Sequence, residues 1–196
     1  MILSKKQLRY YIEEDAKANR RKTIKAKFYG DEVWRFIVTM RKLDYYGNKF
    51  KKNKFYFLRY IYSSYLYHKY SLKLGFSISN YNNIGFGFSI AHFGSIVINS
   101  SAVIGNYCRI HEGVCIGSTN GNKEAPIIGD YVFIGTGAKI IGNISICSFV
   151  SIGANAVVVK SICESHSTWA GVPAKMISSQ DSLINLSPLI EKDLTK

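Results

Sequence analysis

The stretch IGDYVF IGTGAK IIGNIS ICSFVS IGANAV, residues 128–157, decides the fold of this chain. It consists of five consecutive hexads that each begin with isoleucine, and apolar residues recur at the same spacing back to Ile78. The thirteen repeat positions are Ile78, Ile84, Ile90, Ile96, Ala102, Cys108, Val114, Ile128, Ile134, Ile140, Ile146, Ile152 and Val158. A period of six is neither the 3.6 of a helix nor the 2 of a half-buried strand. The pattern therefore predicts a solenoid in which each hexad supplies one short strand and a turn.

Three hexads make one triangular coil, so residues 18 positions apart stack as interior ladders about 4.8 Å apart. Residues 78–163 then provide between four and five coils. The repeat is interrupted between Val114 and Ile128, which are 14 residues apart, two more than two hexads. The polar stretch GSTNGNKEAP, residues 117–126, accounts for the excess. We expect it to project as a loop, and such loops often carry binding or catalytic residues.

The first 74 residues have a different composition. They hold 19 Lys and Arg against 6 Asp and Glu, a net charge of +13, whereas residues 75–196 hold 7 of each kind. Apolar and aromatic spacing predicts three helices, over residues 4–22 with Ser4 as the cap, 31–43 and 54–72, and a turn at residues 45–48. We divide the chain into a basic helical domain (1–74), a β-helix domain (75–177) and a C-terminal tail (178–196).

The basic helices admit several partners. Their charge is that of an ordinary solvated face, but it also suits an anionic substrate, an acidic polysaccharide or the anionic inner leaflet of a membrane. Nucleic acid is the weakest of these alternatives, because the basic residues are dispersed and no nucleic-acid-binding module accompanies them. We therefore expect no nucleic-acid partner.

The hexads, the phrase IAHFGSIVIN (90–99) and the ending WAGVPAKMI (169–177) resemble the hexapeptide-repeat acyltransferases. Within them the chain is most similar to the serine acetyltransferase branch. The resemblance implies a mainly β fold, a left-handed parallel β-helix of hexapeptide repeats with an α-helical N-terminal domain. It also implies a homotrimer with sites at the subunit interfaces and acetyl-CoA as the acyl donor. We further expect no metal and a cytoplasmic location, and the basic helices also suit a peripheral association at the inner face of the membrane.

The resemblance also implies catalytic residues. In that branch a histidine of an "Asp-His-x-x-Gly" hexad is the base, and His92 occupies the matching position here. His92 would take the proton from an acceptor hydroxyl while that oxygen attacks the thioester carbonyl. Backbone N–H groups near Gly117 would stabilise the oxyanion. His111 is a second candidate, because it lies 19 positions further along and therefore about one coil above His92.

The resemblance also implies which residues bind the acyl donor. The resemblance assigns the CoA site to the backbone of Gly135 and Thr136, to Ala154 and to Val159–Lys160. Lys160 and Lys175 are candidates for the CoA phosphates, with a solvated surface role as the alternative for each.

Three positions depart from the serine acetyltransferase pattern. Ala91 replaces the aspartate before the histidine, and Ser77 replaces the aspartate that orients it. Glu124-Ala125 replaces the Arg-His pair associated with binding of the serine substrate, and Glu124 would repel a carboxylate. The orientation of His92 would then fall to Ser77, to Glu112 or to a backbone carbonyl of a neighbouring chain.

The candidate residues on the acceptor side are Ser77, Ala91, Glu112 and Glu124. Because the set that recognises an amino acid is missing, we predict an O-acetyltransferase with a carbohydrate acceptor, a capsular, exo- or lipopolysaccharide or its precursor. The alternative is serine O-acetylation. A third hypothesis is an inactive β-helix that serves as an assembly scaffold.

Overall fold

A computed structural model describes residues 1–78, 83–119 and 123–190. The N-terminal part is helical, with α1 (Lys5–Ala18), α2 (Glu32–Lys52) and α3 (Phe57–Leu74), and a 3-10 turn at Lys54–Tyr56 before α3. The start of α1 is confirmed: Ser4 Oγ accepts the Gln7 N–H at 3.1 Å, and the Gln7 side chain accepts the Ser4 N–H. None of the described helices combines the length and the apolar character that crossing a bilayer requires.

The predicted turn at residues 45–48 is wrong, because α2 continues through it to Lys52. Buried contacts override the local Gly-Asn signal. The Asn48 amide donates to the Asp44 carboxylate at 2.6 Å, and that carboxylate accepts the Ile2 N–H at 2.9 Å. The chain reverses instead at Asn53, whose side chain accepts the Phe55 N–H.

The remainder of the chain forms short strands. They are β1 (Phe76–Ile78), β2 (Ser89–Ile90), β3 (Ile96–Ile98), β4 (Val103–Ile104), β5 (Arg109–Ile110), β6 (Cys115–Gly117), β7 (Ile127–Ile128), β8 (Phe133–Ile134), β9 (Lys139–Ile141), β10 (Ser145–Ile146), β11 (Val150–Ile152), β12 (Val157–Val158), β13 (Ser167–Ala170) and β14 (Lys175–Ser178). They form three sheets, β1-β3-β6-β9-β12, β4-β7-β10 and β2-β5-β8-β11-β13, that are parallel throughout, and β14 closes the third sheet antiparallel to β13. The predicted left-handed parallel β-helix is confirmed, with about four turns.

The register corrects part of the predicted ladder. Ile78 pairs with Ile98 and Ile90 with Ile110, so the first coil contains 20 residues rather than 18. The two extra residues lie between Ile90 and Ile98, in the segment that contains His92. From there to the interruption, the true ladder positions are Ile98, Ile104, Ile110 and Ile116.

The predicted positions Ile96, Ala102, Cys108 and Val114 each lie two residues earlier. They are also buried, which is why the apolar pattern did not reveal the shift. The next coil is also longer than the sequence suggested. Ile116 pairs with Ile140, 24 residues on, so the excess near the 117–126 loop is six residues rather than two. Residues 120–122 of this loop lie outside the described part of the chain.

The helices and the β-helix share one hydrophobic cluster. Phe36 of α2 lies 5.0 Å from Phe76 of β1 and 5.1 Å from Tyr67 of α3, measured between ring centroids. Trp34 and Met40 belong to the same buried cluster. The helices therefore pack against the first coils, the part of the solenoid that carries His92.

The C-terminal segment returns along the outside of the solenoid. Leu186 and Ile190 are buried with Ala18 and pack against Tyr107 and Tyr131. The predicted tail is thus packed as far as residue 190, and residues 191–196 lie outside the described part.

Candidate active site

His92 lies in the loop that follows β2 and is exposed. Gly94, two residues on, has φ +139°, and its N–H donates to the Leu74 carbonyl at 3.0 Å. A Cβ atom at this position would approach the Cβ of Glu112 to 3.0 Å. Glycine therefore lets the enlarged loop pass close to the next coil and present the His92 imidazole there.

His111 follows β5, one coil above. The Ala91 N–H donates to the Ile110 carbonyl at 3.0 Å, which fixes the two loops against each other. The rings of His92 and His111 lie 5.8 Å apart at an angle of 76°. The structure thus brings together the two histidines that the sequence singled out. The ring of Phe133 contacts His111 from the next coil, at 5.2 Å.

Glu112 and Thr136 complete this cluster. The Thr136 hydroxyl donates to Glu112 Oε1 at 3.0 Å and lies 3.5 Å from His111 Nδ1. Because the hydroxyl has one proton and gives it to Glu112, we assign the Nδ1–H tautomer to His111, with this N–H donating to Thr136. The resemblance assigned the backbone of Thr136 to the CoA site, but the side chain of Thr136 belongs to the histidine cluster.

The charges in the cluster follow from its contacts. The pKa of Glu112 is lowered by its own backbone N–H, by the Thr136 hydroxyl and by the two nearby imidazoles. The pKa of His111 is lowered by burial and then by the positive charge of Arg109, against the opposing effect of Glu112. At neutral pH the site therefore holds an ionised carboxylate beside a neutral His111.

The cluster has a composition that suits proton transfer and also metal binding. Nitrogen or oxygen atoms of His92, His111 and Glu112 lie within 4.8 Å of one another. Among the described residues, this is the group that could hold a metal ion.

A second group of predicted residues lies elsewhere on the solenoid. Val159, Lys160 and Lys175 line a cavity of about 310 Å³ together with Trp169 and Pro173. This cavity contains both of the lysines proposed for the CoA phosphates. A largely apolar lining that also includes two lysines suits a pantetheine arm that ends in phosphates.

The two groups lie at different corners of the triangle. His92, Glu112, Thr136 and Ala154 each stand two positions beyond a ladder residue of the third sheet. Gly117 and Val159 follow the corresponding residues of the first sheet. Within a single chain, parallel sheets keep these two rows on separate edges.

The remaining candidates do not join the histidine cluster. Ser77 lies in β1 opposite Val97, and Glu124 accepts a hydrogen bond from Asn143. Gly117 is paired with Ile141 across β6 and β9, and the Gly135 N–H donates to the Ile152 carbonyl at 2.8 Å. The backbone of Gly135 is therefore engaged by the next coil.

Ala91 and Phe93 flank His92 and line a cavity of about 500 Å³ that the sequence did not reveal. Its opposite wall is the start of α2, with Asp31, Glu32 and Trp34, and the end of α3. There Lys73 forms an ion pair with Glu32 at 2.9 Å, and both groups are partly exposed. Sequence spacing gave no signal for this cavity, because it forms only where the helices dock on the first coil.

No family model matches this chain. Curated relatives include the serine acetyltransferase of Synechococcus elongatus, 37% identical over 114 residues that make up 57% of this chain and 46% of the relative. The serine acetyltransferase of Staphylococcus aureus strain Mu50 is 43% identical over 96 residues, 48% of this chain and 45% of the relative. The chain spans about half the length of the curated relatives it matches.

Among solved structures, a serine acetyltransferase in complex with CoA superposes with a TM-score of 0.66 and 26% identity, over 88% of this chain and 71% of that one. The chain is similar to the serine acetyltransferases in sequence and in fold.

These findings contradict the predicted carbohydrate acceptor and favour the alternative, serine O-acetylation. The capsule and exopolysaccharide branch of the resemblance is likewise not supported, and neither is the glycan partner. The prediction rested on the missing Arg-His pair at Glu124-Ala125. Loss of one carboxylate-binding pair does not by itself create a sugar site, and Lys73 offers another cation in the cavity that Ala91 and Phe93 line.

Proposed function

We propose that this chain is an acetyl-CoA-dependent O-acetyltransferase whose acceptor is the hydroxyl of serine. The observation that carries the proposal is the exposed His92 imidazole, which the β-helix holds close to His111 and Glu112. The residues on either side of it, Ala91 and Phe93, line a cavity whose other wall contains the Glu32–Lys73 ion pair. The similarity to serine acetyltransferases in sequence and fold supports the same reaction.

The acceptor is a zwitterion, and the cavity offers it a group of each sign. The Lys73 ammonium suits the serine carboxylate, and the Glu32 carboxylate suits the serine ammonium. Because this ion pair is partly exposed, exchanging its partners for those of the ligand costs little free energy. Ala91, in place of an aspartate, leaves the approach to His92 open.

The reaction needs one base. The His92 imidazole takes the proton from the serine hydroxyl as that oxygen forms a bond to the thioester carbonyl carbon. The tetrahedral intermediate then expels the CoA thiolate, which receives the proton held by His92. O-acetylserine and CoA leave, and the imidazole is again neutral.

The assembly we propose is a homotrimer with sites between subunits. The support is the separation of the two rows of candidate residues, His92 and Thr136 on one edge and Val159 and Lys160 on another. A second copy of the chain would bring the Val159 row beside the His92 row of the first. The acyl donor would then lie between two β-helices.

The reaction is tested by thiol release from acetyl-CoA with the full chain and L-serine, and by mass spectrometry of O-acetylserine. We expect His92→Ala to lower turnover at least about a hundredfold. The matched control is His68→Ala, an exposed histidine on α3, which should leave turnover unchanged. Turnover that requires a saccharide in place of serine, or that survives in His92→Ala, contradicts the proposal.

The shared site is tested by complementation. His92→Ala and Val159→Asp each inactivate a site from a different edge, so mixed assemblies of the two variants should recover part of the turnover. Light scattering gives the subunit number. Recovery would be absent if each chain carried a complete site.

A further inference from the structure

Within the described part of the chain, one of the two carboxylate oxygens of Glu112 accepts no hydrogen bond. Oε1 accepts from Thr136, whereas Oε2 is buried and accepts no hydrogen bond from the described residues. The side chain as a whole keeps 34% of its surface exposed, so this burial is a property of the one oxygen. A buried, charged oxygen without a donor is costly, and such atoms usually mark a place where a cation or a donor is needed.

The register of the coils identifies the neighbours of Glu112. Ile90, Ile110 and Ile134 are stacked, so the residues two positions beyond them, His92, Glu112 and Thr136, occupy one row. Glu112 is the middle member, and one of its carboxylate oxygens lies within 4.8 Å of a ring nitrogen of His92 and of a ring nitrogen of His111. Arg109 of β5 acts on the neighbouring His111, and the ammonium of Lys139 is bound to the Gly113 carbonyl.

His111 does not donate a hydrogen bond to Glu112 Oε2. Its Nδ1 lies 3.9 Å from Oε2, beyond a hydrogen bond, and the proton on Nδ1 is directed to Thr136. Burial and Arg109 also lower the pKa of His111, which keeps the ring neutral. His92 is the exposed imidazole and the one that becomes a cation during the reaction proposed above.

We propose that Glu112 is the positioning residue for His92: its unpartnered carboxylate oxygen orients the imidazole and stabilises the imidazolium. The inference rests on the proposed function. When the acceptor hydroxyl gives its proton to His92, the new positive charge forms beside Oε2, and it disappears when the proton passes to the CoA thiolate. Ser77 and Ala91 have no carboxylate, so Glu112 supplies one from the next coil.

The coupling is measured without any acceptor or activity. The four histidines of the full chain are labelled with ¹⁵N and their ring signals are followed by NMR as a function of pH, with His92→Asn to assign the His92 signal. In Glu112→Gln, which keeps the acceptor for Thr136 and removes the charge, the His92 midpoint should move to lower pH. Glu164→Gln, an exposed carboxylate on a distant coil, is the control and should not move it. An unchanged His92 midpoint, or a shift confined to His111, overturns the proposal whatever the substrate is.

Kinetics then test the role in turnover. Glu112→Gln should lower kcat roughly tenfold or more, leave the KM for acetyl-CoA unchanged and move the acid limb of the kcat/KM profile to lower pH. Glu112→Asp should restore part of kcat, which separates charge from packing, and thermal unfolding checks that the variants are folded. The assignment would be overturned if Glu112→Gln left both kcat and the acid limb of the kcat/KM profile unchanged. It would also be overturned if a chelator abolished the activity of the wild-type chain.

Discussion

Arg41 of α2 forms a two-point ion pair with Asp15 of α1, at 2.8 and 3.0 Å, and both side chains are almost completely buried. The same guanidinium donates to the Ile84 carbonyl at 2.8 Å and to the Gly85 carbonyl. Asp15 in turn accepts the Phe88 N–H at 2.9 Å. One buried pair therefore joins two helices to the first coil of the β-helix.

Arg41→Met should lower the free energy of unfolding by about 3–5 kcal/mol, because it leaves the Asp15 carboxylate buried without its cation. The measurement is urea unfolding followed by circular dichroism. Arg59→Met, an exposed arginine on α3, is the control and should change stability by less than about 0.5 kcal/mol. Adding Asp15→Leu to Arg41→Met should recover part of the loss. A single variant as stable as the control would show that the pair is dispensable.

Protonation of the Asp31 carboxylate should lower the stability of the protein in acid. Burial alone would raise the pKa of Asp31, but two hydrogen bonds from Arg21 and one from the Lys27 N–H lower it below the ordinary value. A lowered pKa means that the contribution to stability is complete above about pH 4, the unfolded value, and is lost as the pH falls through the folded value.

Asp31→Asn should therefore unfold at a lower temperature than the parent chain at pH 7, by an amount equivalent to about 2 kcal/mol. The two proteins should converge as the pH approaches 3. Calorimetric scans between pH 3 and pH 7 measure the difference, and a gap that stays constant with pH would contradict this explanation.

Arg109→Gln should raise the pKa of His111. The positive charge of Arg109 is the second cause, after burial, of the lowered pKa of this histidine, and the substitution removes the charge while keeping a polar side chain. The ring signal of His111 in an NMR titration reports the change. Arg59→Gln serves as the distant control, and a His111 midpoint equal to that of the parent chain would mean that the charge of Arg109 does not contribute.

A row of stacked rings at one corner of the β-helix includes Phe149, where alanine and glycine substitutions should differ in stability. Phe149 stacks on Tyr131 at 4.8 Å and on His166 at 4.7 Å, yet its backbone has φ +62°. Non-glycine residues in this left-handed region cost about 1–2 kcal/mol, so the ring contacts must offset the strain. Both Phe149→Ala and Phe149→Gly should destabilise the protein.

The glycine variant should nevertheless be the more stable of the two, by about 1 kcal/mol, because it relieves the strain that alanine retains. Thermal unfolding of the pair decides the order. If alanine is the more stable substitution, as it usually is, the left-handed conformation of Phe149 does not carry the cost assumed here.

The hexad spacing was sufficient to predict the β-helix, since burying a residue at every sixth position has few other solutions. Spacing could not predict the register between Ile90 and Ile98, because the residues two positions before each ladder residue, such as Ala102 and Cys108, are buried as well. The predicted turn at residues 45–48 failed for a related reason. Asp44 and Asn48 bond to Ile2, a residue that is remote in sequence.

Part of the candidate site could likewise be predicted from the sequence, and part of it could not. His92 and His111 were found from a motif and a repeat length, which are properties of the chain alone. The role of the Thr136 side chain, the unpartnered oxygen of Glu112 and the cavity bounded by Glu32 and Lys73 depend on which coil lies above which and on where the helices dock. Short-range periodicity determines the path of the backbone, whereas these contacts join residues from 20 to about 60 positions apart and exist only once the coils are stacked.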